Sequence, residues 1–415
     1  MEPTSEDTDG EREQVTDLEG EVAELEHEIA DLENEVEEGK VAHPIELFFD
    51  LVYVFAFTRV VGLIVHDHNL ESALKGALIL ALLWWSWGTW TWTMNAVDLT
   101  NRMRRVAILA SMLGVFIMGF AVPTAFEGDS AWFAAGYVLT RFLAGVVAWF
   151  GTVDDPIEHA AMRSFLPVSA PAPALIVIGA LVGGDALPWI WLLAAAIEVG
   201  SALLAANAEW HIDAGHFAER HGLITIIALG EAIIAVGVAV TAAAGDNVDV
   251  TSAVVWRLGI GLVGVCTLWW AYFDKMQVIW ERALEDASPQ ETGTVGRDVY
   301  SLAHYPMIAG IVFFAVGLEE AFLHPLDPPT TFNRWMLATA VALYLLSQAA
   351  ATYRCWGAIA YERIAGVVVV VAFVALADMK AELVVLIMTL LMIATMGAEY
   401  FRFREEVKAS PHLRR

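Results

Sequence analysis

The sequence predicts an all-α polytopic membrane protein, with about 12 transmembrane helices forming two parallel six-helix repeats behind a short N-terminal coiled coil. Three observations predict it. Apolar stretches of about 17 to 25 residues, long enough to cross a hydrocarbon core, recur throughout residues 41–415. A heptad pattern runs through the acidic first 40 residues. Matching tryptophan and glycine motifs reappear six spans apart.

The chain of 415 residues is 58% hydrophobic, yet its 50 acidic and 23 basic groups give a formal net charge of −27. These properties separate along the chain: residues 1–40 hold 17 acidic and two basic groups, and the hydrophobicity lies after Lys40. That distribution argues against a soluble enzyme, and two cysteines argue against a disulfide scaffold. The acidic balance leaves no basic patch for nucleic acid. Cys266 and Cys355 have no CxxC spacing and read as small buried hydrophobes. No cofactor motif is present, and the acidic N-terminus lacks a signal peptide's basic region, so the first span directs insertion.

In the tail, Val15, Leu18, Val22, Leu25, Ile29, Leu32 and Val36 alternate in steps of three and four. β-branched residues at a and Leu at d favour a parallel two-stranded coiled coil, hence a homodimer through residues 15–36. Acids at Glu19, Glu21, Glu26, Glu28, Glu33 and Glu35 would make two such strands repel unless salt screens them. A single amphipathic helix is the alternative. Excess acid, with five Lys against 18 Arg, also suits a halophilic, salt-rich cytoplasm.

Spans fall near 44–65, 74–94, 104–124, 131–151, 165–182, 187–207, 219–241, 252–273, 299–320, 333–352, 363–378 and 381–401. Pro167, Pro171 and Pro173 would break the first turns of the fifth. Arg102, Arg104, Arg105, Arg163, Arg220, Lys275, Arg282, Arg297, Arg354 and Arg363 lie between alternate spans, against Lys75, Arg334 and Lys380 opposite. The expected protein is therefore a multi-pass cell-membrane protein with both termini cytoplasmic. Leu83-Trp84-Trp85 matches Leu268-Trp269-Trp270, and Gly114, Ala125 and Phe126 match Gly310, Ala321 and Phe322. The expected divisions are a tail at 1–40, repeats at 41–212 and 213–402, and a C-terminal tail at 403–415.

The informative residues are ionisable groups within apolar spans, which are costly unless paired or functional. Glu46, Asp50, Tyr53 and Phe57 share one face of the first span, where Pro44 suits the opening turn. The two acids read either as interfacial caps or as pathway groups. Arg141, Glu198 and Glu231 lie deeper; Arg141 paired with Glu198 or Glu231 would fix helix register, and unpaired acids would bind or relay a cation or proton. His304 is a further titratable candidate, although a satisfied neutral imidazole is the simpler reading. Between the sixth and seventh spans, His211, His216 and His221 offer metal-ligand types at steps of five, which match no established zinc spacing. Trp84, Trp85, Trp87, Trp90 and Trp92 suggest aromatic packing rather than a cation box.

Two segments carry a family resemblance: Glu46-Leu47-Phe48-Phe49-Asp50-Leu51-Val52, and His216-Phe217-Ala218-Glu219-Arg220-His221-Gly222-Leu223 running on to Ile226-Ile227-Ala228-Leu229-Gly230-Glu231. Both resemble the low-temperature-requirement A (LtrA) membrane proteins over residues 43–401. The resemblance implies a multi-spanning protein linked in name to growth in the cold, with no established substrate. Phe49-Asp50 in a six-plus-six architecture is also similar to the phenylalanine-serine-aspartate motif of the lysosomal potassium channel family, without its serine. The expected function is a cation or proton transporter or channel in the lipid bilayer, with Glu46, Asp50, Arg141, Glu198, Glu231 and His304 along its pathway and Arg141 as the counter-charge to the acids. A membrane sensor or scaffold in cold or stress adaptation and a membrane-embedded metal-dependent enzyme are the alternatives; enzyme chemistry has no motif behind it.

Overall fold

The computed structural model describes residues 42–205, 208–245 and 250–409. The expected coiled coil and dimer contact at residues 15–36 lie outside these. The described residues form helices and connections, with no strand among them. In chain order the helices are α1 (Pro44–Asp67), α2 (Leu70–Ala96), α3 (Arg102–Ala121), α4 (Ser130–Gly151), α5 (Pro156–Ser169), α6 (Pro171–Val182), α7 (Leu187–Ala205), α8 (Ala214–Ala244), α9 (Ser252–Phe273), α10 (Met276–Glu285), α11 (Pro289–Val295), α12 (His304–Leu323), α13 (Thr331–Trp356), α14 (Tyr361–Leu376) and α15 (Ala381–Ala409).

Ten helical segments of the described residues are long and apolar enough to cross a membrane. Two of the twelve expected spans fall short of that measure. Helix α2 is 27 residues long, but tryptophan, serine and threonine dilute its second half, and α14 has only 16 residues. The fifth span differs from its expected limits. Its helical rod starts at Pro156 rather than 165, because Asp155 caps it through the backbone N–H groups of Ile157 and Glu158. Pro167 lies inside α5, and Pro171 opens α6, where a missing N–H costs nothing.

Polarity runs inside out. Leu181, Leu204, Phe120 and Leu376 are exposed, whereas Glu46, Asp50, Arg220, Glu198, Glu231 and Arg363 are buried. This distribution suits a chain whose solvent is lipid, since charge pairs inward and apolar groups face outward. Cys266 corrects the sequence reading: it is exposed on α9, and Cys355 is half-buried. An apolar surrounding solvent removes the pressure to bury a thiol.

Helix neighbours in residues 44–205 resemble those in residues 214–409. Contacts α1–α2, α1–α3, α3–α4, α4–α6, α6–α7 and α2–α7 have counterparts in α8–α9, α8–α12, α12–α13, α13–α14, α14–α15 and α9–α15. The halves meet chiefly where α1 packs on α8 and α12. Close approach depends on glycine: a Cβ on Gly114 would lie 2.8 Å from the carbonyl oxygen of Gly136, and one on Gly310 would lie 2.8 Å from that of Ala340.

Candidate functional site

The N-terminal ends of α1 and α8 lie side by side and carry the densest charge network. His43 caps α1: its Nδ1 accepts from the Ile45 N–H, while Glu46 Oε2 accepts from the His43 N–H at 2.7 Å. Pro44 opens the helix as expected. Asp213 caps α8 by accepting from the His216 N–H at 2.9 Å. Each helix therefore begins with two chemistry-bearing residues four apart on one face, Glu46 and Asp50 on α1 and His216 and Arg220 on α8.

These four side chains meet, each at most 1% exposed. Arg220 Nη1 donates to Glu46 Oε1 at 2.6 Å, Nη2 donates to Asp50 Oδ1 at 2.6 Å, and Nε donates to Asp50 Oδ2 at 3.2 Å. One planar guanidinium thus spans two carboxylates, the geometry at which arginine excels. Trp87 Nε1 donates to Asp50 Oδ1 at 2.8 Å, and His216 Nε2 lies 3.0 Å from Glu46 Oε2. His216 Nδ1 is buried without a hydrogen-bond partner. One turn further on, the Tyr53 hydroxyl meets Ser86 Oγ at 2.9 Å. The expected face of Glu46, Asp50, Tyr53 and Phe57 is therefore real and turns wholly inward.

Arg220 was hidden by a boundary. The sequence pattern starts the seventh span at 219 and counts Arg220 with the loop charges, but α8 begins at Ala214 and carries Arg220 inside its second turn. The readable signal is the cap at Asp213 followed by His216 and Arg220, which repeats the spacing of Glu46 and Asp50.

The other expected residues occupy separate places. Arg141 Nη2 donates to Glu198 Oε2 at 2.9 Å, and the Tyr137 hydroxyl donates to Glu198 Oε1 at 2.7 Å, tying α4 to α7 within the first half. Arg141 accordingly pairs with Glu198 and not with Glu231. Glu231 is buried and accepts from Thr58 Oγ1 on α1 at 2.5 Å. Glu319, within electrostatic reach of Glu231 and Glu320, is an acid the sequence reading did not single out. Glu320 Oε2 in turn lies 2.5 Å from His68 Nε2 at the end of α1.

The three loop histidines do not converge. His211 Nδ1 lies 3.2 Å from Asp155 Oδ2, His216 joins Glu46, and His221 Nδ1 bonds the Phe217 carbonyl beneath the rings of Trp87 and Tyr300. Among the described residues no group of three or more His, Cys, Asp or Glu is placed to hold a metal ion. Asp155 itself is held below the ordinary aspartate range: desolvation opposes ionisation, but the N–H groups of Glu158 and Ile157 and the His211 ring together outweigh it. His304 sits apart from the carboxylates, with Nδ1 on the Val299 carbonyl at 2.8 Å and Nε2 at 3.0 Å from the Tyr272 hydroxyl. The tryptophans pack inward, and Trp84, Trp87 and Trp90 each spend their indole N–H on a partner inside the protein.

The arrangement can hold or exchange a charge. Two carboxylates face one guanidinium and one imidazole within hydrogen-bond distance. An uncompensated charge away from water is costly, so each carboxylate depends on its basic partner.

An uncharacterized protein of Rhizobium meliloti (strain 1021) is 29% identical over 303 residues, covering 70% of this chain and 71% of its own length. No solved structure matches the chain significantly. The bacterial low temperature requirement A protein (LtrA) profile matches residues 41–398. With nearly the whole helical region covered, the chain belongs to the LtrA family.

Proposed function

We propose that the protein is a cation or proton transporter or channel whose pathway follows the contact between α1 and α8. The observation that carries this reading is the surplus of buried acid along that contact. Glu46 and Asp50 share the single guanidinium of Arg220 at one end, and Glu231 has only a hydroxyl donor, Thr58, further along. Intramembrane acids without matching cations are characteristic of ion and proton paths. Arg141 and Glu198 are assigned beside the path, as a clamp between α4 and α7.

The proposal includes two six-helix repeats related by an axis along the membrane normal, with α2 and α14 completing twelve spans. Three relationships support it. The helix neighbours recur in both halves. The glycine contacts Gly114–Gly136 and Gly310–Ala340 recur at equivalent helix pairs. Glu46 touches His216 and Asp50 touches Arg220, both pairs separated by 170 residues, as equivalent positions on two parallel helices would be when they face each other across an axis. Arginines gather at the end where α1 starts, including Arg105 against His43 and Arg354 against Asp298, which supports a cytoplasmic placement of that end and of both termini. The heptads at 15–36 support a dimerising tail suited to high salt.

The test is flux in liposomes containing the purified protein, across separate Na+, K+ and proton gradients. Flux of one species, reduced by Asp50→Asn and by Glu231→Gln, is expected. Absence of flux for all three, or flux indifferent to both substitutions, would overturn the reading.

A further inference from the structure

A groove opens beside α2, bounded by α4, α5, α7 and the eight-residue π-helical stretch Gly296–Ala303. Trp85, Trp92, Met162, Phe165 and Leu166 give it an apolar wall. Two of its indoles have no polar group to offer an occupant: Trp84 Nε1 donates to the Ser301 carbonyl at 2.9 Å, and Trp92 Nε1 donates to Ser301 Oγ at 3.1 Å. Ala202 lines the groove, and the residues that follow it, Leu203 and Leu204, are exposed apolar side chains. The mouth therefore adjoins surface that faces lipid.

The groove also carries a charge. Arg297 lines it and donates from Nε to Asp298 Oδ1 at 2.6 Å, while Arg354 Nε takes Asp298 Oδ2 at 2.7 Å. Two guanidinium groups on one carboxylate leave an excess of one positive charge. The π-helical turn that presents Arg297 and Ser301 to the groove turns Tyr300 toward the buried His221 and His304. Such widened turns are rare and concentrate at functional sites. An aromatic wall alone would suit a quaternary ammonium group, but a positive rim opposes it.

We infer that this groove is a binding site for a membrane phospholipid with an anionic headgroup, its acyl chain against the tryptophan wall and its headgroup at Arg297. The inference rests on the membrane reading and is independent of transport. An apolar body with one fixed polar contact is the usual anatomy of a small-molecule site, and charge complementarity selects the headgroup.

Full-length protein in detergent, titrated with phosphatidylglycerol and with phosphatidylcholine of the same acyl chains and read by native mass spectrometry, tests the site. One phosphatidylglycerol per chain is expected to remain bound where phosphatidylcholine does not. Gly88→Leu is expected to abolish it, because Gly88 lines the groove and a Cβ there meets nothing within 4 Å. Arg297→Gln is expected to weaken it about fivefold, the effect of one basic group near a charged headgroup. Equal or stronger retention of phosphatidylcholine, or phosphatidylglycerol binding unchanged in either variant, overturns the proposal. A thermal melt checks that Gly88→Leu folds; if it does not, Arg297→Gln and the comparison of the two lipids decide the question.

Discussion

Arg220 grips Asp50 side-on, with Nη2 2.6 Å from Oδ1 and Nε 3.2 Å from Oδ2, and the same guanidinium reaches Glu46 through Nη1. Two helices that begin 170 residues apart in the chain are joined over their first two turns by a charge network removed from water. Such a network is tolerated because every charge has a partner, and it is fragile for the same reason.

Arg220→Gln should therefore be the most damaging single change in the cluster. It strands Glu46 and Asp50 together, and breaking a buried pair in this way costs about 3–5 kcal/mol. Asp50→Asn should cost less, since Arg220 keeps Glu46 and the amide oxygen can still accept from Trp87. The double variant should recover part of the loss from Arg220→Gln. Unfolding in mixed detergent, followed by circular dichroism across the double-mutant cycle, measures the coupling; additive losses would mean the contact carries no net pairing energy.

Glu231→Gln should behave in the opposite way. Gln retains an oxygen to accept from Thr58, so stability should change by no more than about 1 kcal/mol. Flux should nevertheless fall at least tenfold if the carboxylate relays the transported charge. A stable variant with normal flux would remove Glu231 from the pathway.

The two acids of the first span could be read from sequence because helical spacing, a proline and an apolar background put them on one inward face. Their partner could not, because Arg220 lies in a short polar run where a hydropathy window starts the span too late. Membership of the membrane class was equally plain, since burying such apolarity in water has no solution. Which acid Arg141 chooses depended on the rotation of α7 against α4, a packing detail invisible in a stripe of small residues. The tryptophans of α2 show the same limit: their inward packing was expected, whereas the partners of their N–H groups, at Asp50, Thr140 and Ser301, come from distant segments.

Arg141→Gln and Glu198→Gln distinguish a clamp from a pathway. Each leaves an unmatched group between α4 and α7 and should destabilise the protein by about 3–5 kcal/mol. Flux per folded molecule should stay near the unmodified value. A stable variant with abolished flux would instead move this pair onto the path.

The acidic tail gives a prediction of its own. A peptide of residues 1–40 should show helicity that rises with peptide concentration, and more strongly in molar KCl, where the Debye length falls to about 3 Å and the facing glutamates no longer repel. Helicity independent of concentration at high salt would favour a single amphipathic helix.

The proposed repeat can be tested through its glycines. A methyl group on Gly310 meets the Ala340 carbonyl at 2.8 Å and the Tyr344 nitrogen at 2.9 Å, both backbone atoms that cannot swing away. Gly310→Ala should therefore push α12 from α13 and cost about 1–3 kcal/mol as overpacking. Gly114 faces the equivalent Gly136 carbonyl at 2.8 Å and the Thr140 hydroxyl at 2.5 Å, so Gly114→Ala should cost a similar amount. Gly62, also within a helix, has nothing within 4 Å of a new Cβ, and Gly62→Ala should be neutral or stabilising by up to about 1 kcal/mol. Thermal unfolding of the three variants in one detergent compares them directly. Matched losses at Gly114 and Gly310 against none at Gly62 would mean that equivalent contacts bear equivalent load in both halves, as two copies of one bundle require.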